Sequence, residues 1–384
     1  MNWKEQIKNK LKEQKNLQLW RNRTIVENNN TRFLTIKGKR YYNFSSNDYL
    51  GFSQNKKIIH AWKKGSLITG VGASASTHMI GYSYLHAELE KKIAKWLGYS
   101  RALLFNSGYS ANQAVIQLLM KKSDCILADK RIHASFLEAA KNSQAKLYRF
   151  LHNDVNSLEK LIQKNNNTNN TLIITEGLFS MDGDYSPLKD IVKKIKNKEW
   201  LLVDDAHGIG IIGKQGRGSC FLQKVKPELQ IITFGKAFGL SGAALLCDND
   251  VADYFLQFSR HLIYSTAISP AHVYTLLKSL SMIKKSGSLR KKLYNNIHFF
   301  KNMLKKLPIK LYGYDSPIQP LIIGKKDKTI QLASILRSLD CWVTPILPPT
   351  VPEKTSRLRI TITAAHKKKD ILHLIKALHY ATKF

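Results

Sequence analysis

The sequence predicts an α/β protein, with a large domain around a mostly parallel central sheet and a smaller α+β domain at the C-terminal end. Three observations carry this expectation. From residue 102 onward, short apolar runs at 102–105, 124–128, 171–175, 200–204, 229–233 and 243–247 alternate with helical patterns, the signature of strands joined by crossover helices. From about residue 286 the texture changes to a long helix (Leu289 to Leu307), short strands, another helix and a final helix at 367–381. The chain has 384 residues, 43% of them hydrophobic, enough to bury a sizeable core in two or three domains.

The expected division is an N-terminal arm at 1–45, a large domain at 46–285 and a C-terminal domain at 286–384. In the arm, Trp3, Ile7 and Leu11 recur every four residues among lysines, which predicts a short basic amphipathic helix docked on the body of the protein. Thr31 to Phe44 reads as a hairpin turning at Lys37-Gly38-Lys39, followed by a polar loop, Asn43 to Gly51. The small-residue stretch Gly70 to His78 is either a linker or backbone passing close to a ligand or a partner subunit. Leu85, Leu89, Ile93 and Trp96 mark a helix ended by Gly98, and Ala111 to Met120 marks another.

Composition excludes several classes. No run approaches the ~20 apolar residues of a membrane-spanning helix. The start, Met1-Asn2-Trp3-Lys4-Glu5, lacks the apolar core of a signal peptide, so a cytoplasmic protein is expected. Cys125, Cys220, Cys247 and Cys341 lie far apart without metal or redox spacing, and no metal is expected. The net charge of +34 is spread along an Asn-rich chain rather than blocked. Compositional bias is therefore its first reading, attraction of an acidic substrate carrier the second, and a nucleic-acid site a distant third.

The chemistry gathers around Thr233 to Gly242. An apolar run, Leu229-Gln230-Ile231-Ile232, leads into Lys236 with glycines on either side. A lone lysine in so basic a chain is ordinarily a surface residue. Upstream, however, Trp200-Leu201-Leu202-Val203 runs straight into Asp204. An acid at the carboxyl end of a buried strand faces the crevice where open α/β sheets bind ligands, although by itself it serves equally well as a helix N-cap. Together, the lysine and the acid form the pair that pyridoxal 5'-phosphate (PLP) requires, one to form an imine and one to keep the pyridine nitrogen protonated. Asn106-Ser107-Gly108-Tyr109-Ser110 stands between a strand and a helix, where free N–H groups bind phosphate or where a serine simply caps. Thr233 adds a hydroxyl, and His133 and His207 fall at the sheet edge that holds Asp204. Arg357 and Arg359 share one face of a strand-like alternation, either for a carboxylate or as a solvated face. Gly208-Ile209-Gly210-Ile211-Ile212-Gly213 matches a dinucleotide-binding pattern, but glycine-rich loop follows where a helix should open, so the match is read as coincidence.

On these stretches the chain resembles the fold-type I PLP enzymes of the α-oxoamine synthase family. The likeness runs through Asn43 to Gly51, Leu97 to Phe105, His133-Ala134-Ser135, Thr175 to Gly183, Val203 to Gly208, Thr233 to Gly242 and Pro348 to Pro352. Gly81-Tyr82-Ser83 and Leu137-Glu138-Ala139-Ala140 resemble the branch that condenses L-alanine with a pimeloyl thioester of coenzyme A or acyl carrier protein. The alternative is a relative using another amino acid and acyl group, such as glycine with acetyl-CoA. Ala73-Ser74-Ala75-Ser76 and Ala237 depart from a more glycine-rich pattern without removing a catalytic group. The resemblance implies that Lys236 is the imine lysine and base, that Asp204 pairs with the ring nitrogen, and that His133 stacks on the ring. It further implies that His207 and Ser180 bond the phenolic oxygen side, and that Gly108, Tyr109 and Thr233 hold the phosphate. Arg21 and Thr350 would contact the acyl substrate, Arg359 with Asn47 would take the amino-acid carboxylate, and the protein would be a homodimer.

Overall fold

The computed structural model describes residues 2–17, 19–196, 198–307 and 314–381. Its centre is a seven-stranded sheet in the order Arg101–Phe105, Ala243–Cys247, Leu229–Thr233, Glu199–Asp204, Thr171–Glu176, Cys125–Asp129 and Lys146–Phe150. Only Ala243–Cys247 runs antiparallel to its neighbours. The six expected strands all appear within a residue of their expected ends. They are legible because strands covered on both faces are almost wholly apolar, and Cys125–Asp129 and Thr171–Glu176 are buried at every position. The seventh, Lys146–Phe150, escapes the sequence reading. It is an edge strand, and its exposed Lys146 and Arg149 break the apolar run.

This topology positions the site. Because the strands are parallel, the ends at Phe105, Asp129, Glu176, Asp204 and Thr233 share one edge of the sheet. Helices Gly108–Leu119 and Ala134–Asn142 start at that edge and cover one face. Helices Tyr84–Leu97 and Pro270–Lys285 cover the other, and Gly98 closes the former in the left-handed region at φ 83°.

The C-terminal part contains helices Gly287–Leu304, Lys326–Ser338 and Lys368–Ala381 and a three-stranded antiparallel sheet, Ile318–Gly324, Ser356–Thr361 and Thr344–Ile346. The middle strand, Ser356–Thr361, is buried throughout, arginines included. The hairpin Phe33–Ile36 and Lys39–Asn43 turns through Lys37 (φ 50°) and Gly38 (φ 71°), two left-handed residues that match the twist of a tight hairpin. Sequence gave no sign of its further partner: Lys39–Asn43 pairs in parallel with Cys341–Trp342.

One expectation changes, and one open choice narrows. Helix Trp3–Asn16 forms, with a capping box between Asn2 and Glu5, but buries no residue, and Trp3, Ile7 and Leu11 are exposed rather than docked. One apolar residue per turn makes a stripe narrower than the face a packed helix usually presents. Gly70 to His78 is not a loose linker, because Ser76 bridges Thr266 and Ala267 N–H donates to Ala75 O.

The Gly208–Gly213 stretch forms a turn followed by a short 3-10 segment, Lys214–Gly216. A Cβ on Gly208 or Gly218 would fall inside the Asp205 carboxylate, so these glycines form a socket for a buried acid. Burial pushes Asp205 up to about 7. Among the described residues, no helix is long and apolar enough to cross a membrane.

Candidate active site

Asp204 ends its strand at the crevice and is 6% exposed. Its Oδ1 accepts Ala206 N–H at 3.0 Å, and its Oδ2 accepts Asn112 Nδ2 at 3.0 Å. Asn112 lies one turn into helix Gly108–Leu119 and also donates to Ser135 Oγ at 2.9 Å. Ser135 Oγ in turn bonds His133 Nδ1 at 2.8 Å. A continuous polar chain therefore links His133 at the cleft mouth to Asp204 on its floor.

Lys236 follows the next strand in a tight turn, closed by Gly239 N–H to Lys236 O and Phe234 N–H to Gly242 O. Desolvation lowers its pKa to about 8, against the charges of Asp204 and Glu176, while nearby Arg359 lowers it further. Glu176 lies in register beside Asp204. Burial, reinforced by the charge of Asp204, holds the Glu176 carboxyl well above the usual range. Its Oε2 accepts Ser180 N–H at 3.2 Å, and its buried Oε1 has no partner.

The two histidines differ in setting. His207 is buried and shares a 2.6 Å hydrogen bond with the Tyr49 hydroxyl through Nδ1. Burial, then the charges of Lys236 and Arg359, depress its pKa far below normal, so its imidazole is neutral. Burial pushes Tyr49 up to about 12. His133 caps helix Ala134–Asn142, and the Tyr109 ring meets it edge-on at 6.2 Å. Its pKa is lowered chiefly by desolvation.

The two arginines, alike in the sequence, differ in their partners. Arg357 is fully buried and spent on Asp182 Oδ1 (2.6 Å) and Met181 O (3.2 Å). Arg359 donates through Nε to Ser180 O at 2.7 Å and through both terminal nitrogens to Asn47 Oδ1 at 3.1 Å. Neither lies on a solvated face. Of the two, Arg359 acts electrostatically on both Lys236 and His207, and its partner Asn47 lines, with Gly235 and Gly239, a cavity of about 420 Å³.

The phosphate-like corner has three features. Ser107 caps helix Gly108–Leu119, whose first N–H groups have no partner within the helix. A Cβ on Gly108 would come within 2.6 Å of Thr233 Cγ2, so only glycine lets the helix start and the strand end approach this closely. The Thr233 hydroxyl is buried without a partner. An anion seated here would satisfy that hydroxyl and the open helix start together. With a lysine, an acid and two histidines at the same edge, the residues fit PLP. The Tyr109 hydroxyl is engaged by Glu138, leaving its backbone as the group that faces the corner.

The structure thus brings together Lys236, Asp204, His133, His207, Ser180, Asn47, Arg359, Thr233, Gly108 and Tyr109. Arg21 is exposed between the N-terminal helix and the hairpin, and Thr350 is exposed in a turn; no hydrogen bond joins either to the residues above. Asn112, Ser135, Tyr49 and Glu176 were given no role from sequence. Asn112 and Tyr49 carry no spacing signal, because their partners come from remote segments. Ser135 and Glu176 lie beside singled-out residues, and their positions were the available clue.

The profile of the family "Aminotransferase class I and II" matches residues 39–378. Serine palmitoyltransferase from Sphingomonas wittichii superposes with a TM-score of 0.93 at 24% identity, covering 100% of this chain and 98% of that one. A further serine palmitoyltransferase structure, carrying PLP, gives 0.92 at 25% identity over 100% and 99%. 8-Amino-7-oxononanoate synthase from Francisella tularensis shares 30% identity at a TM-score of 0.80, over 89% of this chain and 98% of that one.

Proposed function

The chain belongs to the aminotransferase class I and II family, with PLP as its cofactor, and we propose that within it the protein is an α-oxoamine synthase acting on L-alanine and a pimeloyl thioester. The alanine α-carbon bonds to the thioester carbonyl, the carbon–sulfur bond breaks and the thiol carrier leaves. The alanine carboxyl group departs as CO2, giving 8-amino-7-oxononanoate, a step of biotin biosynthesis. The carrier is coenzyme A or acyl carrier protein, and the working unit is a homodimer.

The observation that carries the reading is the meeting of Lys236, Asp204 and Arg359 in one cleft, a base, an acid and a carboxylate fork supplied by two adjacent strand ends and the C-terminal sheet. When bound, PLP supplies an electron-withdrawing ring that holds the amino group of the substrate and stores charge at its α-carbon. The chain does the rest. Lys236, depressed to about 8, is partly neutral at physiological pH and takes and returns the α-proton at Nζ. Asp204, fixed by Asn112 and Ala206, keeps the ring nitrogen positive. His133 would wall one face of the bound ring, and His207 and Ser180 would lie on its phenolic oxygen side. Gly108, Tyr109 and Thr233 hold the phosphate. Arg359 with Asn47 orients the amino-acid carboxylate, and Arg21 and Thr350 meet the acyl substrate.

Of the three solved structures named above, the synthase from Francisella tularensis has the higher identity, which favours alanine and a pimeloyl thioester. A second reading, L-serine with a palmitoyl thioester, draws on the fuller superposition of serine palmitoyltransferase. Thiol release measured for L-alanine, glycine and L-serine, each with pimeloyl, acetyl and palmitoyl thioesters, separates them. The proposal requires the alanine and pimeloyl pair to give the highest kcat/KM. A preference for serine with palmitoyl, or glycine with acetyl, overturns it.

A further inference from the structure

A second polar cluster lies behind the cleft. His152 follows the edge strand Lys146–Phe150, and both its ring nitrogens are engaged, Nδ1 with Asp129 Oδ1 at 2.8 Å and Nε2 with Asp184 Oδ2 at 2.7 Å. Its ring also meets Phe179 edge-on at 4.4 Å. The two carboxylates belong to different site loops. Asp129 ends a strand and accepts Arg131 N–H at 2.7 Å and Asn153 N–H at 2.9 Å, fixing the turn into His133. Asp184 closes the loop that holds Ser180, through Phe179 N–H to Asp184 O, and also accepts Asn153 Nδ2 at 2.9 Å. A third carboxylate, Asp182, sits in the same loop between the guanidiniums of Arg131 and Arg357.

Charge decides the state of the imidazole. Asp129, Asp182 and Asp184 are all buried, and the cations facing them are Arg131, Arg357 and, only if protonated, His152. A neutral imidazole carries one N–H, so it could not donate to both carboxylates, and it would leave one buried negative charge uncompensated. We propose that His152 is a positioning residue whose imidazolium completes this group of three anions and three cations, holding the loops of His133 and Ser180, and through Ser180 Arg359, in place to receive the amino acid. Burial works against the charge, but the hydrogen bonds and charges of Asp129 and Asp184 carry the pKa of His152 up to about 9. Since this lies above the ordinary value of 6.5, the clamp is complete below about 6.5 and is lost as pH rises through about 9.

His152, Asp182 and Asp184 also lie close enough to suggest a divalent metal site. A metal would have to displace a proton from His152 and two guanidiniums from Asp182, so the protonated clamp is the favoured occupant.

The inference rests on the cleft being the amino-acid site, but not on which amino acid it takes. The test therefore uses the PLP-loaded enzyme and whichever amino acid perturbs the cofactor absorbance of the wild type. His152→Gln, neutral but still able to donate one hydrogen bond, should raise the KM for that amino acid about tenfold, the worth of one hydrogen bond to a charged group. It should lower kcat less and abolish the rise in KM that the wild type should show between pH 8 and 10. In protein with 15N-labelled histidine, NMR should find both His152 ring nitrogens protonated at pH 7.5, unchanged by added Zn2+ or Mg2+. A fall in melting temperature with KM and its pH profile unchanged, a neutral ring at pH 7.5, or a metal-dependent shift would each overturn the proposal. A wild type that perturbs its cofactor only with serine or glycine would contradict the substrate assignment and leave this test intact.

Discussion

Asn112 Nδ2 donates to the Asp204 carboxylate at 3.0 Å, and this one buried amide joins the acid on the cleft floor to the histidine at its mouth through Ser135. Replacing it frees two groups at once. Asn112→Ala should cost about 1–3 kcal/mol of stability, the usual penalty for an unsatisfied buried partner, and weaken PLP binding. Thermal unfolding and fluorescence titration with PLP measure both. Unchanged PLP affinity would show that Asp204 needs no such support.

Asp204→Asn keeps the shape but not the charge. An amide cannot hold a proton on a pyridine nitrogen, so exchange of the alanine α-proton with D2O should slow by at least about a hundredfold, the scale of losing one preorganised electrostatic group. NMR of alanine incubated with the variant reads this directly. Near-wild-type exchange would refute the role given to Asp204.

Lys236 should capture PLP with a pH dependence set by its burial. At a pKa of about 8, about a tenth of the amine is neutral at pH 7, against less than about a thousandth at the ordinary value of 10.5. The rate of PLP uptake by the apoenzyme should therefore rise as pH increases through about 8 and then level. A midpoint near 10.5 would mean that the amine is solvated.

The two arginines should fail differently. Arg359→Ala should raise the KM for the amino acid by about a hundredfold while the protein stays folded and loaded, since a charged partner of the carboxylate is lost. Arg357→Ala should instead cost about 3–5 kcal/mol of stability by leaving Asp182 buried with one fewer guanidinium. KM values and melting curves for both variants distinguish them, and equal effects on the two readouts would undo the division of labour.

The 61 basic residues against 27 acidic ones create a positive field around the chain. If it steers an acidic acyl carrier, kcat/KM for the thioester should fall with salt, while the KM for zwitterionic alanine changes little, because surface fields are screened beyond roughly 8–10 Å at physiological ionic strength. Equal, weak responses for both substrates would assign the charge to composition alone.

The legible parts of this fold are those where local pattern and final environment agree. Buried strands betray themselves by unbroken apolar runs, and Lys236 and Asp204 follow two such runs, so their placement at one sheet edge could be read ahead. Lys146–Phe150 could not, because an edge strand carries charges. Arg357 and Arg359 were indistinguishable because a strand period of two puts both on one face. Their difference comes from Asp182 and Ser180, 175 and 179 residues away. Asn112 and Tyr49 were silent for the same reason. The N-terminal helix misled in the opposite direction, since amphipathic spacing shows which face is apolar but not whether anything covers it.

The most direct test of the account is where PLP attaches. Borohydride reduction of the holoenzyme, followed by peptide mass mapping, should place a pyridoxyl group on Lys236 alone, and Lys236→Ala should carry none and have no turnover. A label on any other lysine, or a Lys236→Ala protein that is still labelled and active, would contradict the account.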